Sequence, residues 1–379
     1  MNFPIRVLEL LVSTRVGGGP KHVFDLVIRL ARDEFAPIVA APADGPFFDR
    51  FNRAGIETRA ARLDRLRPGA LLRVVQLIRF RGVRIIHSHG KGAGLYGRLA
   101  GHLAGVPVIH TFHGIHYERY SRLGRASYLS LERRLSRLTH TVVNVSRAQE
   151  EEGFRLRLFS PTQSTVIANG IDVAELDETV ARAPIGRSAL GLTPDDLVLG
   201  CVARFDPVKG LEILLETMRA LVPRYPELKL VLVGDGAEAA RLRRLSGVMG
   251  LNRWVLFTGA VEDAPRMFPA WNVYVSSSRK EGLPLALLEA MACSLPVVAT
   301  RIPGHLDAVV AGETGFLASP DDPADLAVKA ARLLDDPALR RAMGRAGRAR
   351  VEERFSVGRT VKEMGSLYRR VADSHRPRS

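Results

Sequence analysis

At 379 residues the chain is long enough for two domains of ordinary size, each with its own core. A hydrophobic content of 46% and a charged fraction of 25% are globular values, and they exclude a disordered or fibrous chain. The net charge of +15 is concentrated in residues 1–190, which carry 28 basic and 17 acidic side chains against 27 and 23 in residues 191–379; such an excess suits phosphorylated ligands, anionic lipid or nucleic acid without choosing among them.

The opening residues MNFPIRVLELLV hold an apolar run too short for a signal peptide, broken by Arg6 and Glu9. Residues 5–12 predict a buried strand, followed by the glycine loop TRVGGGPKHV (14–23) and a helix from Lys21 to Arg32. Gly17, Gly18 and Gly19 let a ligand approach the backbone closely, although contiguous glycines are not the spaced G-x-G-x-x-G of a dinucleotide site. APIVAA (36–41), VRIIHSH (83–89), VPVIHTFH (106–113) and HTVVNVS (140–146) predict further strands, with helical segments between several of them. This alternation predicts an α/β domain with a doubly wound parallel sheet. Histidines 87, 89, 110, 113 and 116 fall at these strand ends, where packing or hydrogen bonding is the ordinary role. In YLSLERRLSRL, Tyr128, Leu131, Leu135 and Leu138 share a helical face flanked by Arg133, Arg134 and Arg137. That is first an ordinary surface helix and second a face for an anionic membrane surface.

TVIANGID (165–172) reads as a polar turn, after which residues 183–194 are rich in Pro and Gly. A second round of strands follows: 197–205, 228–236, 254–260, 271–277 and 295–300. The same architecture therefore occurs twice, as a domain over 1–180, a domain over 181–355, and a C-terminal amphipathic helix over 356–379 expected to cross back to the first domain, with RPRS fraying after it. Two such domains facing each other would leave an interdomain cleft at the carboxyl ends of both sheets, where ligands of open α/β folds bind. Cys201 and Cys293 lie in apolar runs and predict reduced core thiols of a cytoplasmic protein. No stretch approaches the ~20 apolar residues of a membrane span.

Loops after second-half strands hold the densest chemistry. In VARFDPVKG (202–210), Arg204 and Lys209 stand five residues apart on one strand-to-helix loop, able to clamp a diphosphate. VGDG (233–236) is another post-strand turn without a final spaced glycine, and is poor as a dinucleotide fingerprint. In EGLPLALLE (281–289), Gly282 and Pro284 mark a helix start whose first-turn N–H groups suit phosphate oxygens. Glu281 precedes that start, and Glu289 lies roughly 7–8 Å along the axis from Pro284 at ~1.5 Å per residue. Each carboxylate can accept two hydroxyl hydrogen bonds, which outlines a hexose, a diphosphate and a ribose in sequence. The bland alternative leaves both acids on solvated surface.

Taken together, these segments resemble the retaining, GT-B-fold nucleotide-sugar glycosyltransferases of family 4, over nearly the whole chain. EGLPLALLE matches the E-x7-E element, ARFDPVKG the Arg/Lys element, NGID (169–172) the interdomain turn, and PGHLDAVVAGETGFL (303–317) the segment after the next strand. HSHGKGAGLYGRLAGHLAGVPVIHTFHG (87–114) is similar to the capsule, O-antigen and exopolysaccharide branch. The resemblance implies that Arg204 and Lys209 hold the donor diphosphate, Glu281 contacts the donor sugar and Glu289 the ribose. Backbone around Gly282, Leu283, Pro284 and Leu285 would meet sugar and phosphate, and Gly17 and Gly18 would approach from the other domain. His113 occupies the place of the family's active-site histidine, before Gly114, where a side chain can face the cleft. Pro20 departs from the Glu that many relatives carry, which leaves the acceptor contacts of that loop open.

The expected function is retaining transfer of a hexose, with α linkage, from a nucleoside diphosphate sugar to a polysaccharide or polyisoprenyl-linked precursor, with a UDP-sugar favoured. No metal or other cofactor is expected, since Arg204, Lys209 and the helix start would stabilise the leaving group. The expected location is cytoplasmic, at the inner face of the plasma membrane if the basic helix docks. A sugar-nucleotide epimerase or hydrolase of similar fold is the alternative. A dehydrogenase lacks its glycine fingerprint, and no aromatic platform marks a nucleic-acid partner.

Overall fold

The computed structural model describes residues 4–65, 67–115, 117 and 120–375, so His116 and the terminal RPRS lie outside the described residues. The chain divides into two compact units, one of residues 1–170 with 357–379 and the other of residues 171–356.

Among the described residues the first unit holds a seven-stranded parallel sheet: β1 (Ile5–Leu10), β2 (Phe35–Ala41), β3 (Glu57–Ala60), β4 (Ile85–His89), β5 (Val108–Phe112), β6 (Thr141–Asn144) and β7 (Ser164–Val166), in the order β3-β2-β1-β4-β5-β6-β7. The order reverses between β1 and β4, which pair with Val7 beside Ile85 and Leu10 beside Ser88. Alternate residues of a strand face opposite sides, and both sides are covered. Leu8, Leu10, Ile38 and Ile86 pack with the helices Pro68–Arg81 and Gly90–Ala104, whereas Val7, Phe35, Ile85 and Ile109 pack with Gly18–Arg29 and the C-terminal helix Val357–Ser374. Met364, Leu367 and Tyr368 make that last helix part of the first unit's core.

Gly94, Gly97 and Gly101 line one side of the helix Gly90–Ala104, where a Cβ would come within 2.5 Å of His110, 2.8 Å of Ser88 and 2.3 Å of Val108 respectively. The missing side chains let this helix lie directly on β4 and β5, the strands that carry the histidines.

The second unit holds a six-stranded parallel sheet: β8 (Leu197–Val202), β9 (Leu228–Val233), β10 (Val255–Gly259), β11 (Val273–Ser276), β12 (Val297–Thr300) and β13 (Gly315–Ala318), in the order β10-β9-β8-β11-β12-β13. Its switch point lies between β8 and β11. Leu199, Cys201, Leu230, Val273, Val298 and Phe316 pack with the helices Leu211–Leu221 and Pro323–Asp335. Burial pushes both thiols up to about 12, with Cys201 buried and Cys293 only half-buried.

Two expectations need correction. Residues 165–166 belong to β7 and are not turn. The helix Val173–Arg182, assigned to the first domain by a boundary at 180, belongs to the second unit. Its Asp177 takes a two-pronged bond from Arg348, at 2.9 and 2.7 Å, and Arg266 binds the carbonyl of Ala183 just beyond it.

Candidate active site

Both loops at the second switch point are built to hold charge. After β9, Gly234 and Gly236 of the VGDG turn let the chain lie against the loop that follows β8: a Cβ on Gly234 would press 1.8 Å from the Ala203 carbonyl, and one on Gly236 2.3 Å from the Phe205 carbonyl. The glycines therefore seat the Arg204 loop, a packing role. Phe205 is buried beneath it, and Arg204, its side chain 72% exposed, pairs with Asp206 at 3.1 Å. Asp206 caps the short turn Pro207–Lys209 through the Val208 N–H. Gly210 then adopts the left-handed conformation at φ 58°, where a Cβ would come 2.5 Å from the Ser277 carbonyl.

Lys209 is aimed by this turn at Glu281, and its Nζ lies 2.5 Å from Oε1. Ser278 donates to the same oxygen at 2.7 Å. Burial on its own raises the Glu281 carboxyl, but Lys209 beside it overrides this and holds it below the ordinary value. Ser277 donates to the carbonyls of Lys209 and Gly210, and Arg279 donates to that of Pro207, so the loops after β8 and β11 are laced together. A third loop supports them. Thr300 donates to the Ser278 carbonyl, and a Cβ on Gly304 would come 2.4 Å from the Gly282 carbonyl. His305 is fully buried beneath, its Nδ1 donating to the Thr300 carbonyl at 2.8 Å, so Nε2 accepts from Ser276 at 3.2 Å.

The helix after this loop runs Leu285–Ala292 with Pro284 at its N-cap. Gly282, Leu283 and Leu285 are buried, which leaves backbone as the face this segment can offer a ligand. Glu289 is also buried, at 8% exposure, and so is not a solvated helix-surface residue. A carboxylate kept inside a buried helix needs polar partners.

In the first unit, a Cβ on Gly17 would meet no described atom within 4 Å, so packing does not explain that glycine. Gly18 is the first residue of the helix Gly18–Arg29. His113 follows β5 half-buried and bonds through Nε2 to His89 Nδ1 at 3.0 Å. His89 in turn bonds through Nε2 to Glu9 at 2.8 Å. His110 belongs elsewhere, bonded to Ser88 and packed edge-on against Phe112. The ring nitrogens and carboxylate of His22, His89 and His113, and of Glu9, His87 and His89, lie within 4.8 Å of one another in each group.

Comparison with known proteins decides the family. The model described as Glycosyltransferase Family 4 matches residues 16–175, and that of Glycosyl transferases group 1 matches residues 184–350. A putative glycosyltransferase, EpsD of Bacillus subtilis, is 32% identical over 76% of this chain and 77% of its own length. The chain belongs to glycosyltransferase family 4. An Escherichia coli UDP-Gal:alpha-D-GlcNAc-diphosphoundecaprenol alpha-1,3-galactosyltransferase is 28% identical, over 79% of this chain and 78% of its own. The crystal structure of Anabaena HepE with UDP and glucose matches 97% of this chain and all of its own at a TM-score of 0.85 and 23% identity, a likeness of fold. The fold of this family 4 glycosyltransferase is accordingly GT-B, with two parallel-sheet α/β domains.

Of the expected site residues, the structure joins Lys209 and Glu281 directly and places Arg204 on the same loop as Lys209, with Gly282, Leu283, Pro284, Leu285 and Glu289 continuing from Glu281. Gly17, Gly18 and His113 stand at the carboxyl ends of first-sheet strands. Sequence reading missed Ser278, Gly304 and His305, which brace Glu281, and Glu9 and Tyr368, which lie behind His89. Glu9 left one trace, a lone acid interrupting an apolar strand.

Proposed function

We propose that this glycosyltransferase moves a hexose from a UDP-sugar, with retention and α linkage, to a polyisoprenyl-linked or polysaccharide precursor. The observation that carries the reading is the Lys209–Glu281 pair at the β8/β11 switch point, beside Arg204. A cation within reach of a diphosphate, bonded to an acid able to hold a sugar hydroxyl, is what transfer from a nucleotide sugar requires. Cleavage of the sugar–phosphate bond leaves negative charge on the diphosphate. Arg204, Lys209 and the first turn of the helix Leu285–Ala292 meet it, a preorganised electrostatic effect. Glu281 takes the sugar and Glu289 the ribose hydroxyls. These groups supply the needed charge, so the reaction proceeds without a metal, and transfer survives exhaustive chelation.

UDP is favoured because UDP-sugar chemistry appears in the names of relatives, the E. coli galactosyltransferase and the HepE complexes. The first of these also supports a diphosphoundecaprenol acceptor. Such an acceptor resides at the inner leaflet, and the helix Arg122–Ser136, with Arg133, Arg134 and an exposed Leu123 and Leu131, is the docking face. Among the described residues no helix is long and apolar enough to cross a membrane.

The test is a thermal-shift screen against UDP-, GDP- and ADP-sugars, repeated on Arg204→Ala, with product analysis after addition of acceptor. Stabilisation by a UDP-sugar that is lost in the variant is expected. Donor turnover without any acceptor product would instead favour an epimerase or hydrolase.

A further inference from the structure

Arg279 stands on the loop after β11, just ahead of Glu281, and the reaction as proposed does not use it. Its backbone N–H donates to the Val208 carbonyl at 2.8 Å, and its Nη1 donates to the Pro207 carbonyl at 2.7 Å. Nη2 lies 2.7 Å from Glu212 Oε1, and Nε donates to Asp321 Oδ1 at 2.7 Å. Each nitrogen of one guanidinium therefore meets a different element: the turn Pro207–Lys209, the helix Leu211–Leu221, and the segment between β13 and the helix Pro323–Asp335.

A single part-exposed ion pair would contribute little, and the Arg279 side chain is 35% exposed. The arrangement is more than one pair. A planar fork with fixed donor directions fits three acceptors at once, which an ammonium on a flexible stem does not match. Glu212 lies in the first turn of its helix, where the dipole favours an acid, and Arg241 stands 3.5 Å away, so its charge is met without Arg279. Asp321 holds a left-handed backbone at φ 56°, a conformation that costs free energy in a residue other than glycine and persists where surrounding contacts impose it. That strained residue presents its carboxylate to Arg279.

What Arg279 grips is the turn that aims Lys209. Lys209 is the last residue of Pro207–Lys209, and its partner Glu281 belongs to the other loop. The separation of the two charges is set by whatever ties the loops together. Ser277 holds one end of the turn, through the Lys209 and Gly210 carbonyls at 3.0 and 2.8 Å. Arg279 holds the other end, through Pro207 and Val208.

We propose that Arg279 is a positioning residue that fixes the Pro207–Lys209 turn, so that Lys209 is held where the leaving diphosphate develops charge, and that it contributes to kcat rather than to donor affinity. The link to kcat rests on the donor-site reading given under Proposed function; the grip on the turn does not. A displaced cation loses most in the transition state, where the charge it meets has grown, while the ribose hold assigned to Glu289 is untouched.

The experiment combines steady-state kinetics on the intact chain with thermal melts. Arg279→Ala is expected to lower kcat about 10–100-fold with the donor KM within about threefold. Arg279→Lys, which keeps a cation but not the fork, is expected to lose about 3–10-fold. In the melts, Lys209→Met and Glu281→Gln are expected to be non-additive in the wild-type background and additive in the Arg279→Ala background, because the pair no longer meets. An arginine that only stabilised the fold would lower melting and leave that coupling in place. Unchanged kcat in either variant, a loss confined to the donor KM, or a coupling that survives Arg279→Ala overturns the proposal. Where Arg279→Ala does not fold, Arg279→Lys carries both readouts, and an unchanged kcat or an unchanged coupling overturns it. Failure of every nucleotide sugar to stabilise the wild-type protein would sink the donor reading alone, and the melts still decide the grip on the turn.

Discussion

Replacing Lys209 by Met removes one cation while keeping most of its apolar stem, and it isolates the pair on which the proposed donor site is built. Lys209 and Glu281 have side chains 20% and 12% exposed, so the pair is mostly but not wholly withdrawn from water. Breaking a fully buried pair by deleting one partner costs about 3–5 kcal/mol, because the other charge is stranded. Residual exposure and the remaining Ser278 donor reduce this to about 2–3 kcal/mol, which for a unit of this size corresponds to a Tm lower by roughly 4–12 °C. Glu281→Gln is expected to cost less, and the double variant should show a coupling energy of about 1–2 kcal/mol. The pH dependence fixes the sign. Glu281 has its carboxyl held below the unfolded value, so the wild-type advantage is present above about 4.3 and fades as pH falls below it toward the folded value. Thermal melts of the four proteins between neutral pH and acid measure both quantities. A coupling energy within about 0.3 kcal/mol of zero, or a wild-type advantage unchanged on acidification, would refute the reasoning.

Three further outcomes follow from the same geometry. Gly304→Ala drives a Cβ to 2.4 Å from the Gly282 carbonyl and 3.0 Å from the Glu281 Cβ, so the loop must move. Stability should fall by about 1–3 kcal/mol and nucleotide-sugar affinity at least about tenfold, read by melting and calorimetry. Glu289→Gln should weaken UDP by roughly 10–100-fold, the worth of a charge-assisted hydroxyl bond, and should weaken a deoxyribose analogue lacking that hydroxyl much less. Asp177→Ala removes a two-pronged but part-exposed pair with Arg348, so melting should drop by no more than about 1 kcal/mol while transfer is unchanged.

The fold was legible where strands are buried on both faces. β4 (IIHSH) and β5 (VIHTF) each open on a β-branched apolar pair, and each is buried along its whole length. The strands left out of the sequence reading are peripheral. β3 (ETRA) and β7 (STV) are edge strands whose polar residues are part-exposed, so no hydrophobic alternation marks them. β13 (GFLA) is buried but only four residues long and begins with glycine. The extra-long first-domain boundary had a similar cause. The helix Val173–Arg182 buries only Leu176 among its ten residues and is tied down by Asp177, which periodicity cannot assign to either unit. In the site, residue types at fixed spacing pointed to Arg204, Lys209, Glu281 and Glu289. The residues that brace them come from the loop after β11, the end of β12 and the short helix Pro303–Ala308, and only folding brings Ser278, Thr300 and Gly304 together.

Arg204 and Lys209 show what spacing could not reveal. As sequence they are an equal pair of cations on one loop. Folded, Arg204 projects with 72% of its side chain exposed and pairs with Asp206, while Lys209 is drawn in against Glu281. In the proposed donor site an incoming diphosphate would meet Arg204 as an exposed cation whose existing pair is worth at most about 1 kcal/mol. It would meet Lys209 as a cation already committed to a carboxylate. The two substitutions should accordingly separate stability from activity. Arg204→Ala should melt within about 1 kcal/mol of wild type yet lose about 100–1,000-fold in kcat, since it removes a group that acts on developing charge. Lys209→Met should lose activity and stability together, and restoring charge as Lys209→Arg should recover melting only in part, because a planar fork does not fit a site shaped for a point charge. Equal destabilisation by Arg204→Ala and Lys209→Met would mean that the loop, rather than the Glu281 contact, sets the cost.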